Sequence, residues 1–373
     1  MLPLLSICIP TYNRAELLEA ALTSLAPQVR KLGKEVELIV SDNCSTDNSR
    51  DVVERLGQQF PIRYHRNAEN VGAMRNILSL VSEHSSGEFC WVMGDDEMVR
   101  EGGVRKLLQA IKEHSDLDYF YVNYSIDSFE RRKGVFVTAD DFRDWKQTGN
   151  PNLEERRIDR WETLIAEDSN GLTPIYCSVF RRSMWLKGAA GLRVSDSYTE
   201  EALFSSLAET YPQSLIFVRT MVGKPAWSSG YPWTIVCGTE SWVDFIPVAM
   251  LLRFHELLDA FKRNGVDDRL LDQHRRQMLI RAETYLMEVF RGRRAPGLES
   301  FSVTKFLARH YRYFESWRAV YSALLIVPLE VEFATSPSYG AFAAVARAVS
   351  RCLTLGGKVR ARLRRSSSFA TRV

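Results

Sequence analysis

Three consecutive acids, Asp95, Asp96 and Glu97, are the residues of this sequence best suited to chemistry. They follow the apolar run Phe89–Met93 and Gly94, a pattern that predicts a buried strand ending in a sharp turn. Adjacent carboxylates repel one another unless a cation lies among them, and Mg2+ and Mn2+ favour such oxygen ligands while keeping positions open for phosphate oxygens. The alternative is that Asp95 or Asp96 caps a following helix, with Glu97 favoured by the helix dipole.

Strands and helices alternate along the first hundred residues. The predicted strands are Leu4–Ile9, Val36–Val40, Ile62–His65 and Phe89–Met93. Asn13 and Glu16 have the spacing of a capping box before the first helix, and a later helix is predicted over 72–82. This alternation implies an α/β fold with a mainly parallel sheet and helices on both faces, and ligands bind beyond the carboxyl ends of such strands.

Four polar motifs fall at those strand ends: Ile9–Arg14, Val40–Asp47, Asn70–Asn76 and Gly94–Glu97. Each is weak alone. In this order and spacing they resemble the family 2 glycosyltransferases of GT-A fold, specifically over residues 4–100 and more loosely to about 235. The resemblance implies a GT-A, Rossmann-like sheet with a C-terminal helical region. It also implies inverting transfer of a sugar from a nucleotide diphosphate sugar to a hydroxyl acceptor.

The resemblance assigns roles to individual residues. Asp96 and Glu97 occupy the metal-binding element, with glutamate in place of the usual last aspartate, and which of the two is the main ligand stays open. The implied ion is Mn2+ or Mg2+, a Lewis acid for the departing diphosphate. Asp42 matches the residue that accepts a hydrogen bond from uracil, which favours a UDP-sugar; its alternative role is a turn residue, and that of Arg75 is a solvated surface residue. The implied nucleotide-binding residues are Pro10, Thr11, Tyr12, Arg14, Asp42, Asn70, Arg75 and Asp95.

Inverting transfer also needs a base that removes the proton of the acceptor hydroxyl. The family places this base in a pair of acids at a helix start, and the best match is Glu201 with Glu200 before it. Asp196 is a rival, and acids are common in first helical turns for dipole reasons alone.

Three regions are expected along the chain. Residues 1–235 form the GT-A domain, with a nucleotide-sugar half over about 1–100 and an acceptor half over about 101–235 that includes strands at Asp118–Tyr124, Thr173–Phe180 and Leu215–Val218. Residues 236–350 form a helical appendage. Residues 351–373 form a basic, disordered tail, because they contain seven cations and no acid.

Composition limits the partners and the cellular compartment expected for this protein. The chain has a net charge of +3, so outside the basic tail it is mildly acidic, which argues against nucleic acid as a partner. The six dispersed cysteines favour a reduced, cytoplasmic protein, and neither a signal peptide nor a membrane-spanning run is recognisable. The tail either contacts an anionic inner leaflet or stays solvated.

The expected function is therefore a metal-dependent inverting glycosyltransferase that uses a UDP-sugar and a lipid-linked or growing surface polysaccharide. Two alternatives stay open. A sugar nucleotidyltransferase would also need metal and nucleotide, but it usually carries a glycine-rich loop where this chain has Pro10–Arg14. A non-catalytic GT-A-like binding protein is compatible with the glutamates at Glu97 and Glu201.

Overall fold

The computed structural model describes residues 2–127, 148–168, 170–195, 204–237, 245–290, 297, 298, 301–310 and 313. Contacts between residues divide the chain into two compact units, Met1–His274 and Arg275–Val373. The domain boundaries expected near residues 235 and 350 stay predictions.

Among the described residues, the first three strands are longer than those that follow. They are β1 Leu5–Thr11, β2 Val36–Asp42, β3 Ile62–Arg66, β4 Phe89–Val92, β5 Glu97–Val99, β6 Tyr119–Tyr121, β7 Tyr124–Ile126, β8 Arg156–Ile158, β9 Ser178–Arg181, β10 Ala226–Ser228 and β11 Thr234–Val236.

Helices lie between these strands and after them. They are α1 Ala15–Leu32, α2 Ser49–Gly57, α3 Ala73–Ser79, α4 Gly103–Glu113, α5 Thr163–Glu167, α6 Arg182–Ala189, α7 Leu207–Thr210, α8 Pro212–Met221, α9 Ile246–Val248, α10 Phe254–Arg263, α11 Asp268–Phe290 and α12 Val303–His310. Wider π-helical turns continue α3 over Leu80–His84 and α9 over Ala249–Arg253.

The described strands form a mixed sheet of eight, in the order β3-β2-β1-β4-β9-β6-β10-β8, and a small sheet in the order β5-β11-β7. Strands β1 to β4 are mutually parallel, while β9 runs antiparallel between β4 and β6. The α/β class and the mainly parallel sheet are confirmed. The carboxyl ends of β1, β2 and β3 therefore meet at one edge.

The core explains why the first four strands are readable in the sequence. β1 and β4 are buried on both faces, so β4 is a continuous apolar run and β1 is apolar on both faces apart from the buried Ser6 and the final Thr11. Helix α1 packs Leu18, Leu22 and Leu25 into the same core, at helical spacing. The strongest local patterns thus fix the half of the sheet that carries the acidic motif.

The strand expected at Leu215–Val218 is wrong, because these residues lie in helix α8. Pro212 stands in the first turn of that helix, where its missing N–H costs nothing. Every residue from Pro212 to Val218 is buried, and a helix that is buried on all sides gives an apolar run without periodicity.

The single strand expected at Asp118–Tyr124 is two strands, β6 and β7, which belong to different sheets. Asn123 interrupts them: its buried side chain donates to the carbonyls of Asn150 and Gly230 and accepts from the amide of Tyr124. Of the run Thr173–Phe180, only its last residues lie in β9. The short strands β5, β8, β10 and β11 were not predicted.

In the second unit, helix α12 follows Phe301, whose ring contacts Phe306 at a centroid distance of 5.6 Å. Phe306 in turn contacts His310 at 4.8 Å, one helical turn later. None of the described helices is both long and apolar enough to cross a bilayer.

Candidate functional site

The candidate site lies where β1, β2 and β3 end. Thr11, the last residue of β1, pairs with Asp42, the last of β2, and Asp42 pairs with Arg66, the last of β3. The sheet register therefore places three polar residues in one row. The turn after β4 reaches the same row through a hydrogen bond from Thr11 Oγ1 to Asp95 Oδ2, at 2.7 Å.

Asp95 is buried and doubly held. Its second oxygen, Oδ1, lies 2.8 Å from Arg14 Nη1, and only 2% of the residue is exposed. Burial disfavours the charged carboxylate and, with repulsion from Asp96, raises the pKa of Asp95 to about 7, although Arg14 and Thr11 oppose that shift. Asp95 is thus anchored to both the end of β1 and the start of α1.

Asp96 takes the other arm of the same guanidinium. Its Oδ2 atom lies 2.8 Å from Arg14 Nη2. The chain then continues into strand β5, which pairs with β11, and the next helix begins only at Gly103. The alternative reading of Asp95 or Asp96 as a helix cap is therefore wrong.

Glu97 carries a buried carboxylate oxygen that lacks a partner. The residue is 5% exposed, and Oε2 makes no hydrogen bond. Burial, followed by the charges of Asp96 and Asp95, raises the pKa of Glu97 well above its usual value. The carboxylate folds back over Gly94, where a side chain would collide with it.

The chemistry of this donor set fits a hard divalent cation, because three carboxylates are adjacent and one buried oxygen is unsatisfied. Within the described residues, no group of three or more His, Cys, Asp or Glu side chains is already arranged to hold one ion. Arg14 holds Asp95 and Asp96 in this arrangement, so binding of an ion requires these side chains to rearrange.

Asp42 is completely buried, and both of its oxygens are engaged. Oδ1 accepts from the amide of Ser45 at 2.7 Å, and Oδ2 accepts from the Tyr64 hydroxyl at 2.5 Å. Arg66 Nε lies 3.5 Å from Oδ2. This carboxylate therefore orders the turn after β2, as a turn residue does, and its predicted contact with uracil would be an additional hydrogen bond.

A network of asparagines supports the next loop. Asn43 donates to Asn70 Oδ1 at 2.6 Å, and Asn67 donates to Asn43 at 2.9 Å and to Asn76 at 3.0 Å. Asn70 Oδ1 also accepts from the amide of Gly72 at 2.9 Å, just before helix α3. The structure thus gives Asn70 a role in holding the loop that presents α3.

Asp47 joins the first two loops and replaces the expected capping box. Its Oδ2 accepts from the amide of Ala15 at 2.9 Å, and its Oδ1 accepts from the amide of Ser49 at 3.0 Å, so it caps both α1 and α2. The Asn13 side chain instead accepts from the amide of Thr46 at 2.7 Å. The capping box of Asn13 and Glu16 is therefore wrong.

The remaining predicted residues differ in position. Pro10 lies in β1 beside Thr11, Tyr12 is 42% exposed in the following loop, and Arg75 is exposed in the first turn of α3. The predicted acids Glu200 and Glu201, and the rival Asp196, lie outside the described residues.

No role was predicted for four residues that contact the predicted ones: Tyr64, Arg66, Asn43 and Asn67. Arg66, Asn43 and Asn67 could have been found from their positions at or just beyond a strand end, whereas Tyr64 lies in the middle of β3 and gave no such signal. Asn67 follows β3 in the same way that Asn43 follows β2, and Arg66 is the last residue of β3.

The match to known families decides the identity of this half of the chain. Residues 6–182 match the family described as glycosyl transferase family 2. They belong to that family. Family 2 membership, with the mainly parallel sheet and its row of polar strand ends, confirms the predicted GT-A fold.

Individual relatives are similar to the chain over only part of their own length. An abequosyltransferase of Salmonella typhimurium is 34% identical over 147 residues, which cover 39% of this chain and 42% of the relative. The GalNAc(5)-diNAcBac-PP-undecaprenol beta-1,3-glucosyltransferase of Campylobacter jejuni is 33% identical over 113 residues, 30% of this chain and 36% of the relative. The chain thus matches less than two thirds of either relative.

Among solved structures, S. aureus TarS in complex with UDP-GlcNAc is similar at a TM-score of 0.48 and 15% identity. The similarity covers 93% of this chain and 88% of that chain. At this level it adds nothing to the family 2 match.

Proposed function

We propose that this chain transfers a sugar from a UDP-sugar to a hydroxyl acceptor, with inversion at the anomeric carbon. The observation that carries the proposal is the acidic turn: Asp95 and Asp96 share the Arg14 guanidinium, and the buried Glu97 Oε2 has no partner. In a family 2 domain, that arrangement at the carboxyl edge of the sheet supports binding of a metal-complexed nucleotide diphosphate.

The proposed ligands of Mn2+ or Mg2+ are Asp96 and Glu97. When bound, such an ion supplies Lewis-acid stabilisation of the departing diphosphate. Asp95, held by Thr11, positions the turn, and Asp42 accepts the uracil N3–H. The nucleotide also contacts Pro10, Tyr12 and the loop that Asn70 holds, with Arg14 and Arg75 facing the phosphates.

The proposed base is Glu201, with Glu200 before it. A carboxylate there would take the proton of the acceptor hydroxyl as that oxygen attacks the anomeric carbon. Glu201→Gln should keep nucleotide binding and lose sugar transfer, whereas Asp196→Asn should keep both. Retained transfer in the Glu201 variant moves the base elsewhere.

The proposed acceptor is a lipid-linked glycan or a growing surface polysaccharide. The name of the Campylobacter relative includes an undecaprenol diphosphate, which supports a polyprenyl-linked acceptor for this chain as well. We propose that the basic tail, residues 351–373, brings the enzyme to an anionic leaflet from the cytoplasmic side.

Thermal unfolding with nucleotides tests the donor. UDP, GDP and CDP are compared with and without Mn2+, because a ligand that binds the native state raises the melting temperature by mass action. We expect the largest Mn2+-dependent rise with UDP. A preference for GDP contradicts the role of Asp42, and no Mn2+-dependent rise with any nucleotide contradicts the metal-dependent reaction.

Two matched variants localise the metal effect. Asp96→Asn should remove the Mn2+-dependent part of the rise, while Asp51→Asn, an exposed position on α2, should leave it intact.

Nucleotide binding without transfer to a polyprenyl-diphosphate glycan from any UDP-sugar would favour the non-catalytic binding protein.

Liposome co-sedimentation tests the membrane contact. The full chain and a chain that ends at Ser350 are compared on vesicles with and without anionic lipid. We expect the full chain to pellet preferentially with anionic vesicles, and equal recovery of the two chains contradicts the contact.

A further inference from the structure

The Arg14 guanidinium bridges two of the three acids. Its Nη1 atom lies 2.8 Å from Asp95 Oδ1 and its Nη2 atom lies 2.8 Å from Asp96 Oδ2. We call these three side chains the arginine fork. A planar guanidinium suits this geometry because its two terminal nitrogens can each face one carboxylate oxygen.

The arginine fork engages only two of the three acids. One guanidinium supplies a single positive charge to Asp95 and Asp96, and the motif adds a third carboxyl group at Glu97. Glu97 follows Asp96 directly in the chain, and its buried Oε2 atom accepts no hydrogen bond. A divalent cation bound by Asp96 and Glu97 would supply positive charge to both acids, but it would compete with Arg14 for Asp96.

The backbone at Arg14 is fixed, while its side chain has room to leave. The amide of Ala15 is held by Asp47 at 2.9 Å, and the carbonyl of Arg14 accepts from the amide of Leu18 at 3.0 Å. The Arg14 side chain is 24% exposed, so solvent reaches one side of it. Displacement of the guanidinium therefore involves the side chain and leaves the backbone in place.

We propose that the arginine fork is a latch that couples the metal ion to the nucleotide diphosphate, an inference that rests on the proposed function. In the free protein Arg14 closes Asp95 and Asp96 against a metal ion. When ion and diphosphate bind together, the positive ion repels the Arg14 guanidinium from Asp96. The guanidinium then pairs with phosphate oxygens, whose spacing its two terminal nitrogens also fit. Arg14 is thus a positioning residue that makes the two ligands bind cooperatively.

Thermodynamic linkage gives the signature of the latch. If the diphosphate gives the displaced guanidinium a new partner, UDP must raise the affinity for Mn2+, and Mn2+ must raise the affinity for UDP by the same factor. Without the guanidinium, Mn2+ alone meets no competitor, so its own affinity rises and the coupling falls.

The test measures Mn2+ binding to the full chain from the electron paramagnetic resonance signal of free Mn2+, with and without saturating UDP, after correction for the Mn2+ that the same concentration of UDP binds without protein. In the wild type we expect UDP to tighten Mn2+ binding at least about fivefold, within the usual range of such coupling. Arg14→Gln should bind Mn2+ alone more tightly than the wild type, and UDP should tighten that binding by a smaller factor than in the wild type, because the contact between ion and diphosphate remains while the contribution of Arg14 is lost.

Two further variants keep the test interpretable. Arg14→Lys keeps the charge but loses the fork, and we expect coupling between those of the wild type and the glutamine variant. Arg50→Gln removes an exposed arginine of α2 that pairs with Glu54, and it should behave as the wild type. If the coupling between UDP and Mn2+ falls from the wild type to Arg14→Lys and then to Arg14→Gln, a folding defect is excluded as the cause of the weaker coupling.

Two results overturn the latch while leaving the proposed function intact: unchanged or weaker binding of Mn2+ alone by Arg14→Gln, or full UDP coupling in that variant. Absence of Mn2+ binding in the wild type and in Arg14→Gln, with and without UDP, overturns both proposals.

Discussion

The Tyr64 hydroxyl donates a 2.5 Å hydrogen bond to Asp42 Oδ2, which joins the middle of β3 to the last residue of β2. Burial, together with the hydrogen bond to Asp42 and its charge, raises the pKa of Tyr64 well above its usual value, so the hydroxyl stays a donor at all physiological pH values. Asp42 is therefore oriented before any nucleotide arrives.

Tyr64→Phe should destabilise the protein by about 1 to 3 kcal/mol, because it removes a donor from a buried carboxylate. Urea unfolding measures the loss. Tyr12→Phe, at an exposed position in the neighbouring loop, should change the free energy of unfolding by less than about 0.5 kcal/mol. Equal stability of Tyr64→Phe and the wild type would show that Asp42 is held without Tyr64.

Glu37 fastens the turn that precedes β4. Its Oε1 atom accepts from the Ser6 hydroxyl at 2.5 Å and from the amide of Ser86 at 2.7 Å, and Arg63 donates to Oε2 at 2.6 Å. Burial alone would raise the pKa of Glu37, but these hydrogen bonds outweigh burial and lower the pKa below its usual 4.5.

Because the folded state lowers this pKa, the stabilisation from Glu37 is complete above pH 4.5 and is lost as pH falls through the lower folded-state value. Glu37→Gln should therefore cost about 1 to 3 kcal/mol near neutral pH, and progressively less below pH 4.5. Urea unfolding from neutral pH down to about pH 3 measures the difference. Glu54→Gln, at an exposed position, supplies the control, and a pH-independent gap contradicts the role of the charge.

Gly94→Ala tests whether the place of the Glu97 carboxylate matters. A Cβ atom at Gly94 would collide with that carboxylate and lie 2.7 Å from Asp96 Oδ1, so both acids must shift. We expect the apparent affinity for UDP in the presence of Mn2+, obtained from thermal unfolding, to fall at least about tenfold. A tenfold loss corresponds to about 1.4 kcal/mol of binding free energy. Gly57→Ala, where a Cβ meets open space, is the control, and an unchanged response to UDP would refute the importance of this geometry.

The sequence located the acidic turn because local patterns decide where β1 to β4 end. The partners of that turn are not local: Arg14 precedes Asp96 by 82 residues, and only the closed sheet shows that they pair. Helix α8 escaped prediction for a related reason, since its burial comes from neighbours distant in sequence and erases the helical period. Asn123 likewise breaks a strand through bonds to residues 27 and 107 positions away.

Gln28 connects helix α1 to the end of the acidic strand β5. Its Nε2 atom donates to the carbonyl of Val99 at 3.1 Å, and its Oε1 atom accepts from the amides of Gly102 and Val104 at 3.1 and 3.4 Å. The residue is 8% exposed, so water does not replace these bonds easily. One side chain thus holds the segment between Glu97 and helix α4.

Gln28→Ala should lower the free energy of unfolding by about 1 to 3 kcal/mol, because it leaves buried amides and a buried carbonyl without their partner. Amide hydrogen exchange gives the sharper readout: protection should fall at Gly102 and Val104 and persist in β1 and β2. Gln109→Ala, which removes an exposed side chain from α4, should leave those amides protected. If exchange at Gly102 and Val104 is unchanged in Gln28→Ala, the backbone after β5 holds itself, and the position of Glu97 does not depend on α1.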